Sequence, residues 1–473
     1  VDVGGTFTDL ISFDANSDTV KIAKVLSTPE NQAFGVMNAL DNADVNLQSV
    51  ETLIHGTTVT TNALLERKIS RVGLITTKGF RDVLELGRRT RPKPYGMTGV
   101  FECIIPREFR LEVNERIDSD GKIIEPIDEN DVAKSLKFLL ENGIESLIIH
   151  FLHSYKNNIH ERIAADIAKD IWPNSFITCG SLLVSEFREY ERGTTAAINA
   201  SIQPVLNNYI QRLQQQLKKD KFSKDLLVMQ GNGGTVSSSI VSDEAVKTVM
   251  SGPASGVMAA AYTSMQCGFS NVITYDMGGT SCDVGLIVDS IPQVTSELEI
   301  EYAMPIHVPM VDVHTIGAGG GSLAWVNDAG LLQVGPESAG AEPGPICYGR
   351  GGTRPTITDA NLILGRLNPD SLLSVGNPVS IETVHNKIID DVGRNLGFKD
   401  VEETASAIIK IANMNMAGTL RLVSLARGYD PRDFALFAFG GAGPLHAVSL
   451  ATELGIPKVL IPMRPGITNA VGC

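Results

Sequence analysis

The sequence predicts a layered α/β protein built from two related halves, and three observations carry that prediction. Apolar, β-branched runs alternate with helical patterns along the chain, the order of elements that gives largely parallel sheets covered by helices. The motif D-x-G-G-T-x-x-D occurs twice, at residues 2–9 and 276–283, each time flanked by apolar residues. A third glycine turn, Gly440-Gly441-Ala442-Gly443, follows an apolar run and precedes a helical pattern.

Each element has its own signal. Residues 1–13 are apolar and β-branched around Gly4-Gly5 and read as a hairpin. Residues 51–68 read as strand, turn and helix, with Thr or Asn available as caps. Strands are expected at 72–76 and 145–152, and helices at 159–169 and 195–217. A break near 179–185, after Trp172-Pro173-Asn174, divides the chain into an N-terminal region, 1–182, and a second region, 183–473. The second region restarts with a strand at 225–230 and a turn at Gly231-Asn232-Gly233-Gly234. A strand pair around Gly278-Gly279 follows, then a glycine-dense stretch at 317–352 and a helix near 405–425. The last pair is a strand at 434–439 and a helix from 444 to about 454.

Bulk properties bound the function. A chain of 473 residues exceeds what one core organises, so at least two domains are expected. Its 43% hydrophobic and 20% charged residues are ordinary for a globular protein. A formal charge of −14 repels phosphate backbones and argues against nucleic acid as a partner. It does not exclude a nucleotide, which a few N–H groups and one Mg²⁺ hold locally. Six scattered cysteines without a C-x-x-C pair fit a reducing, cytoplasmic setting. No apolar stretch reaches membrane-spanning length and no signal peptide opens the chain. Val1 already lies in an apolar run, so the sequence reads as part of a longer protein.

The repeated motif is the main signal. A shift of 274 positions aligns both copies without gaps, a period that means a duplicated domain, not an array. Gly4, Gly5, Gly278 and Gly279 lack the Cβ that would keep backbone N–H groups from phosphate oxygens. Thr6 and Thr280 add hydroxyls, and Asp2 and Asp276 could hold Mg²⁺ through water or orient the attacking group. One such motif alone is an ordinary hairpin turn. Two copies plus a third turn outweigh that reading, with Gly440, Gly441 and Gly443 suited to adenosine.

These features resemble the superfamily of actin, sugar kinases and chaperone ATPases, in which two phosphate hairpins and a later glycine turn hold ATP between two ribonuclease-H-like halves. Longer runs narrow the match: VDVGGTFTDL, HGTTVTTNALLER, LITTKGFRDVLELGRR, SGPASGV, DMGGTSCDVGLI, HTIGAGGGSLAW, GPESAGAEPGPICYGRGG and PTITDANLILGRL are similar to the hydantoinase A/5-oxoprolinase family. That resemblance implies an actin-like ATPase fold with a cleft, and a family C-terminal region lying beyond Cys473. It also implies ATP-dependent opening of a cyclic amide, with ATP and Mg²⁺ bound and a hydantoinase B-type partner subunit in an oligomer. Phosphorylating the poorly electrophilic amide oxygen makes a leaving group and exposes the ring carbon to water. The chemistry rests on positioning and charge neutralisation. Two alternatives stand beside it: the ATP-using subunit of an acetone- or acetophenone-type carboxylase, and an actin- or chaperone-like conformational module.

Other residues are candidates of lesser weight. His55, Thr57 and Thr58 lie at a strand end before a helix and suit either a substrate group or a capping turn. Gly319 and Gly320, after Asp312-x-His314, are expected near the nucleotide, and His314 reads as a structural histidine before a catalytic one. Arg89, in the basic run 88–93, could reach an anionic substrate, although a solvated loop is the default. The run 186–192 alternates charge and is expected to form internal ion pairs. His150 and His153 should point to opposite faces of a strand. No zinc site is expected from local spacing, and a site assembled from Asp312, His314 and Asp359 stays open.

Overall fold

The computed structural model describes residues 1–28, 32–88, 90, 95–96, 102–372 and 379–473. They form two compact units: one of Val1–Val45, Gly252–Gln293 and Val311–Cys473, the other of Asn46–Ser251 and Val294–Met310. These units are discontinuous in sequence. The boundary expected at 182/183 divides the sequence linearly, so the two divisions describe different things.

In the first unit, strand Asp2–Val3 pairs antiparallel with Phe7–Asp14, and Thr19–Leu26 continues the sheet antiparallel. Helix Gln32–Asn42 packs on the last two strands and buries Ala33, Val36, Ala39 and Leu40. The second sheet is centred on Val272–Met277, which runs antiparallel to Cys282–Val288 and parallel to Ala435–Phe439. Lys458–Leu460 extends it in parallel, and Val313–Ile316 pairs with the outer side of Cys282–Val288. Alternation along the central strand sends Ile273, Tyr275 and Met277 into a core shared with helices Val401–Val423 and Gly443–Leu454. Each such side chain contributes about 1.5–3 kcal/mol on burial. This core holds the strand that carries Asp276.

The second unit contains a four-stranded sheet, in the order Ile177–Cys179, Ser146–His150, Val72–Thr77, Arg110–Val113, with every pair parallel. Helices Glu129–Glu141 and Ile159–Ile171 cover one face through Val132, Leu136 and Ala164. The other face meets the long helix Glu189–Lys219 through Tyr190, Ala196, Ala197 and Ala200. In the same unit, Leu53–Thr57 pairs parallel with Leu226–Met229, which pairs antiparallel with Thr235–Ser237.

The expected elements exist, and the differences have physical causes. The long helix begins at Glu189 rather than 195 and continues through Pro204, because burial of nearly its whole first half outweighs a missing N–H. The helix expected at 405–425 is Val401–Val423, started by Asp400, whose side chain accepts from Glu402 N–H. Among the described residues, the second unit holds an all-parallel sheet, and the second sheet of the first unit mixes parallel and antiparallel pairs. Around both glycine motifs the strands are antiparallel, since a short turn joins only antiparallel neighbours.

Candidate functional site

The two copies of the motif fold into the same hairpin. Asp2 stands opposite Asp9 and Asp276 opposite Asp283, at corresponding positions of the ladder. Gly4 N–H donates to Phe7 O at 2.9 Å, and Gly278 N–H donates to Ser281 O at 3.0 Å. Gly5 and Gly279 sit exposed at the tips. A Cβ on Gly5 would meet nothing within 4 Å, and one on Gly279 would lie 3.7 Å from Thr6 Oγ1. Within the first unit, then, the turns face each other with their glycine backbones uncovered. Thr6 lies on one side of the gap and the exposed Thr280 in the other turn.

Beneath the tips lies a concentration of buried acid. Burial, then the Asp9 carboxylate, pushes Asp2 up to about 7, and Asp276 adds to the repulsion. Burial, then Asp283, likewise pushes Asp276 up to about 7. Asp283 is raised to about 6 by burial, and Asp9 is raised by burial against the pull of Lys24. Lys24 Nζ lies 2.6 Å from Asp9 Oδ1 and donates to Gly466 O at 3.0 Å. Asn469 Nδ2 donates to Asp276 Oδ2 at 3.0 Å. Asp2 Oδ1 is buried with no hydrogen-bond partner. Asp2, Asp9 and Asp276 thus share the Lys24 ammonium, while Asp283 accepts from the Thr315 hydroxyl, an arrangement whose desolvation is offset only by additional positive charge or by protons.

The later glycines act in two ways. Gly440, at φ +80°, follows Asp276's parallel neighbour Phe439, and a Cβ on it would fall 2.2 Å from Asp276 Oδ1. Ala442 N–H donates to Met277 O, Gly441 is exposed, and Gly443 begins helix Gly443–Leu454. This turn therefore lies against the second hairpin's first strand. Gly319 and Gly320, expected near the nucleotide, are buried. What they approach is the hairpin itself: Gly320 N–H donates to Gly278 O at 3.0 Å, Gly321 N–H to Gly279 O at 2.6 Å, and a Cβ on Gly319 would strike the Thr280 backbone at 2.5 Å. They brace the second turn from behind.

The remaining candidates have partners of their own. His55, Thr57 and Thr58 belong to the other compact unit. His55 Nε2 is 2.7 Å from Tyr209 Oη, Thr57 Oγ1 accepts from Val59 N–H at 3.2 Å, and Thr58 occupies the N-cap of Val59–Leu65. Arg89 lies outside the described residues. Arg88, beside it, is bound to Glu191 and Glu297. The run 186–192 forms the expected ion pairs, including Arg192 with Glu189 at 3.2 Å. Asp312 and His314 converge on Arg427, with Arg427 Nη2 donating to His314 Nε2 at 2.7 Å. Asp359 is spent on Thr356 and on the Ile346 and Cys347 N–H groups, which removes it from a joint site with that pair.

Sequence reasoning passed over Lys24 and Asn469. Lys24 was legible in part, because strand alternation from the first hairpin puts it opposite Asp9. Asn469 carries no such signal: it reaches Asp276 across 193 positions of sequence.

Among the described residues, no group of three or more His, Cys, Asp or Glu could hold a metal ion directly. The residues still fit a divalent ion held through water, with Asp2 and Asp276 as outer partners. Excess buried acid and the orphaned Asp2 Oδ1 both call for positive charge or a hydrogen-bond donor there.

Comparison with known proteins adds independent findings. The family described as "Hydantoinase/oxoprolinase" matches residues 192–473, and its "N-terminal region" matches residues 1–172. The chain is 37% identical to caprolactamase subunit alpha of Pseudomonas jessenii, across 98% of this chain and 68% of that one. It is 34% identical to the acetophenone carboxylase gamma subunit of Aromatoleum aromaticum, across 98% and 66%. It is 32% identical to 5-oxoprolinase of Dictyostelium discoideum, across its whole length and 42% of that protein. The crystal structure of ATP-dependent caprolactamase from P. jessenii superposes with a TM-score of 0.87 over 99% of this chain and 69% of that one, at 37% identity. Nucleotide-free acetone carboxylase superposes with a TM-score of 0.86 over 100% and 69%, at 27% identity. The fold is of the actin-like ATPase type, as the sequence predicts.

Proposed function

The chain belongs to the hydantoinase/oxoprolinase family, and we propose that it is the ATP-using part of an enzyme that phosphorylates the carbonyl oxygen of a cyclic amide to drive ring opening. The observation that carries this reading is the pair of in-register hairpins bringing Asp2 and Asp276 together under two uncovered glycine turns. Backbone N–H groups at Gly5 and Gly279 cradle the phosphates, Gly4 and Gly278 close the turns through their own N–H groups and keep the approach free of side chains, and the hydroxyls of Thr6 and Thr280 add hydrogen bonds. Gly440, Gly441 and Gly443 line the adenosine. Asp2 and Asp276 hold Mg²⁺ through water, and the ion supplies the charge neutralisation that a triphosphate next to buried carboxylates requires. Lys24 fixes Asp9, Asn469 fixes Asp276, and both keep the acid cluster rigid.

In the proposed reaction the γ-phosphoryl group passes to the amide oxygen and ADP leaves. Water then adds to the ring carbon, the C–N bond breaks as the nitrogen takes up a proton and leaves an acyl phosphate, and a second water hydrolyses that to carboxylate and inorganic phosphate. His55, Thr57, Thr58 and Arg89 are proposed for the amide side. The relatives named as subunits support assembly with a partner, for which a hydantoinase B-type subunit is proposed. A second reading, the ATP-using subunit of a ketone carboxylase, is favoured by the acetophenone and acetone carboxylase relationships. Phosphate release measured with 5-oxoproline, hydantoin, caprolactam, and acetone plus bicarbonate separates the two. Stimulation by ketone and bicarbonate alone would sink the cyclic-amide reading.

A further inference from the structure

The two hairpins differ in what holds their turns from behind. In the second, the Gly278 and Gly279 carbonyls accept from Gly320 and Gly321 N–H, so backbone holds backbone. In the first, the Gly4 carbonyl accepts from the Ser27 hydroxyl at 2.8 Å, and Thr6 O accepts from Ser27 N–H at 3.0 Å. The strand registers show one device standing in for the other. Val25 lies opposite Thr8 and Ile316 opposite Cys282, the same motif position in the two copies. Two residues further on, Ser27 therefore corresponds to Ala318, which has no hydroxyl to give.

The hydroxyls have a fixed direction. A carbonyl only accepts, so the single Ser27 proton goes to Gly4 O, and the Thr8 hydroxyl, 3.1 Å away, donates to Ser27 Oγ. Thr8 is fully buried, and a Cβ on Gly35 of helix Gln32–Asn42 would lie 2.8 Å from its Oγ1. Thr8 and Ser27 thus occupy the helix-covered face of the sheet. Asp9, next along the strand, and its partner Asp2 face the other way. In a planar trans peptide the carbonyl and the following N–H point in opposite directions. Drawing Gly4 O toward the helix therefore turns Gly5 N–H toward the acid face, where the phosphates are proposed to lie. Glycine on both sides lets that peptide rotate either way. Reversed, it would offer the phosphates an oxygen in place of a hydrogen.

We infer that Ser27 is a positioning residue for nucleotide binding: its hydroxyl, oriented by Thr8, fixes the Gly4–Gly5 peptide with Gly5 N–H turned to the phosphates. The inference rests on the reading of the hairpins as a phosphate cradle. The test compares the whole chain with Ser27→Ala, Ser27→Thr and Ser424→Ala. The last removes a buried hydroxyl–carbonyl bond, Ser424 Oγ to Leu420 O at 2.6 Å, elsewhere in the same unit. Binding of a fluorescent ATP analogue with Mg²⁺ should weaken about tenfold or more in Ser27→Ala, the worth of one hydrogen bond to a charged group, and stay within about threefold of native in the other two. Isotope-labelled glycine reports the Gly5 amide directly, and its signal should shift or broaden in nucleotide-free Ser27→Ala. Affinity within about twofold of native in Ser27→Ala, or an equal loss in Ser27→Thr or Ser424→Ala, overturns the role. No binding by the native chain would refute the cradle itself, whereas an unchanged Gly5 amide in Ser27→Ala refutes the brace whatever the cradle binds.

Discussion

Replacing Asp2 with the isosteric Asn should make the nucleotide-free chain more stable while ending its turnover. In the folded protein the Asp2 carboxyl is held at about 7, against 3.8 for an ordinary aspartate, chiefly by burial. Ionising it in the native state therefore costs about 4 kcal/mol relative to the unfolded chain. The folded-state value is raised, so the native protein binds the extra proton between about pH 4 and pH 7. Stability then falls as pH rises through that window and levels off above it. Asn carries no charge and escapes the penalty. Asp2→Asn should match the native chain near pH 3.5, gain progressively to pH 7, and lead by up to about 4 kcal/mol at pH 8. Thermal midpoints measured across pH without Mg²⁺ or nucleotide read the gain as several degrees. Saturating Mg·ATP should shrink or reverse the difference, because the added cation favours the carboxylate. A variant no more stable than the native chain at pH 8, or a gain independent of pH, would refute the claim that Asp2 is a strained buried acid.

Substitutions at three further positions probe the same site. Gly5→Val adds a side chain where a Cβ meets nothing within 4 Å, so stability should change by no more than about 0.5 kcal/mol. Nucleotide affinity should be lost, as equilibrium binding of a fluorescent ATP analogue would show; unchanged affinity would place the phosphates elsewhere. Gly440→Ala sets a Cβ 2.2 Å from Asp276 Oδ1 at φ +80°, costing about 1–3 kcal/mol. Turnover should drop with it, and retention of full activity would dissociate this turn from Asp276. Lys24→Met leaves Asp9 unpaired and removes the link to Gly466, with an expected loss of about 3 kcal/mol at neutral pH. Lys24→Arg should recover part of both stability and turnover. Equal activity in Met and Arg variants would reduce Lys24 to a space-filling role.

The sequence by itself determined the paired hairpins. Asp, Gly-Gly and Thr at fixed spacing dictate a tight antiparallel turn, and the turn sets its own ladder, so Asp2 opposite Asp9 and Asp276 opposite Asp283 follow from local rules. The third glycine turn after Ala435–Phe439 was legible for the same reason. Only the tertiary structure decided what those hairpins face. Asn469 on Asp276, Lys24 on Gly466 O and the brace of Gly319–Gly321 behind the second turn join segments with no shared periodicity. Gly319 and Gly320 show the limit most clearly: a glycine permits close approach, but its sequence does not say to what. Carboxyl pKa values belong to the same class, because burial and neighbouring charge arise only when distant strands pack. Local turn chemistry wrote the motif, and packing converted it into a confined pool of negative charge.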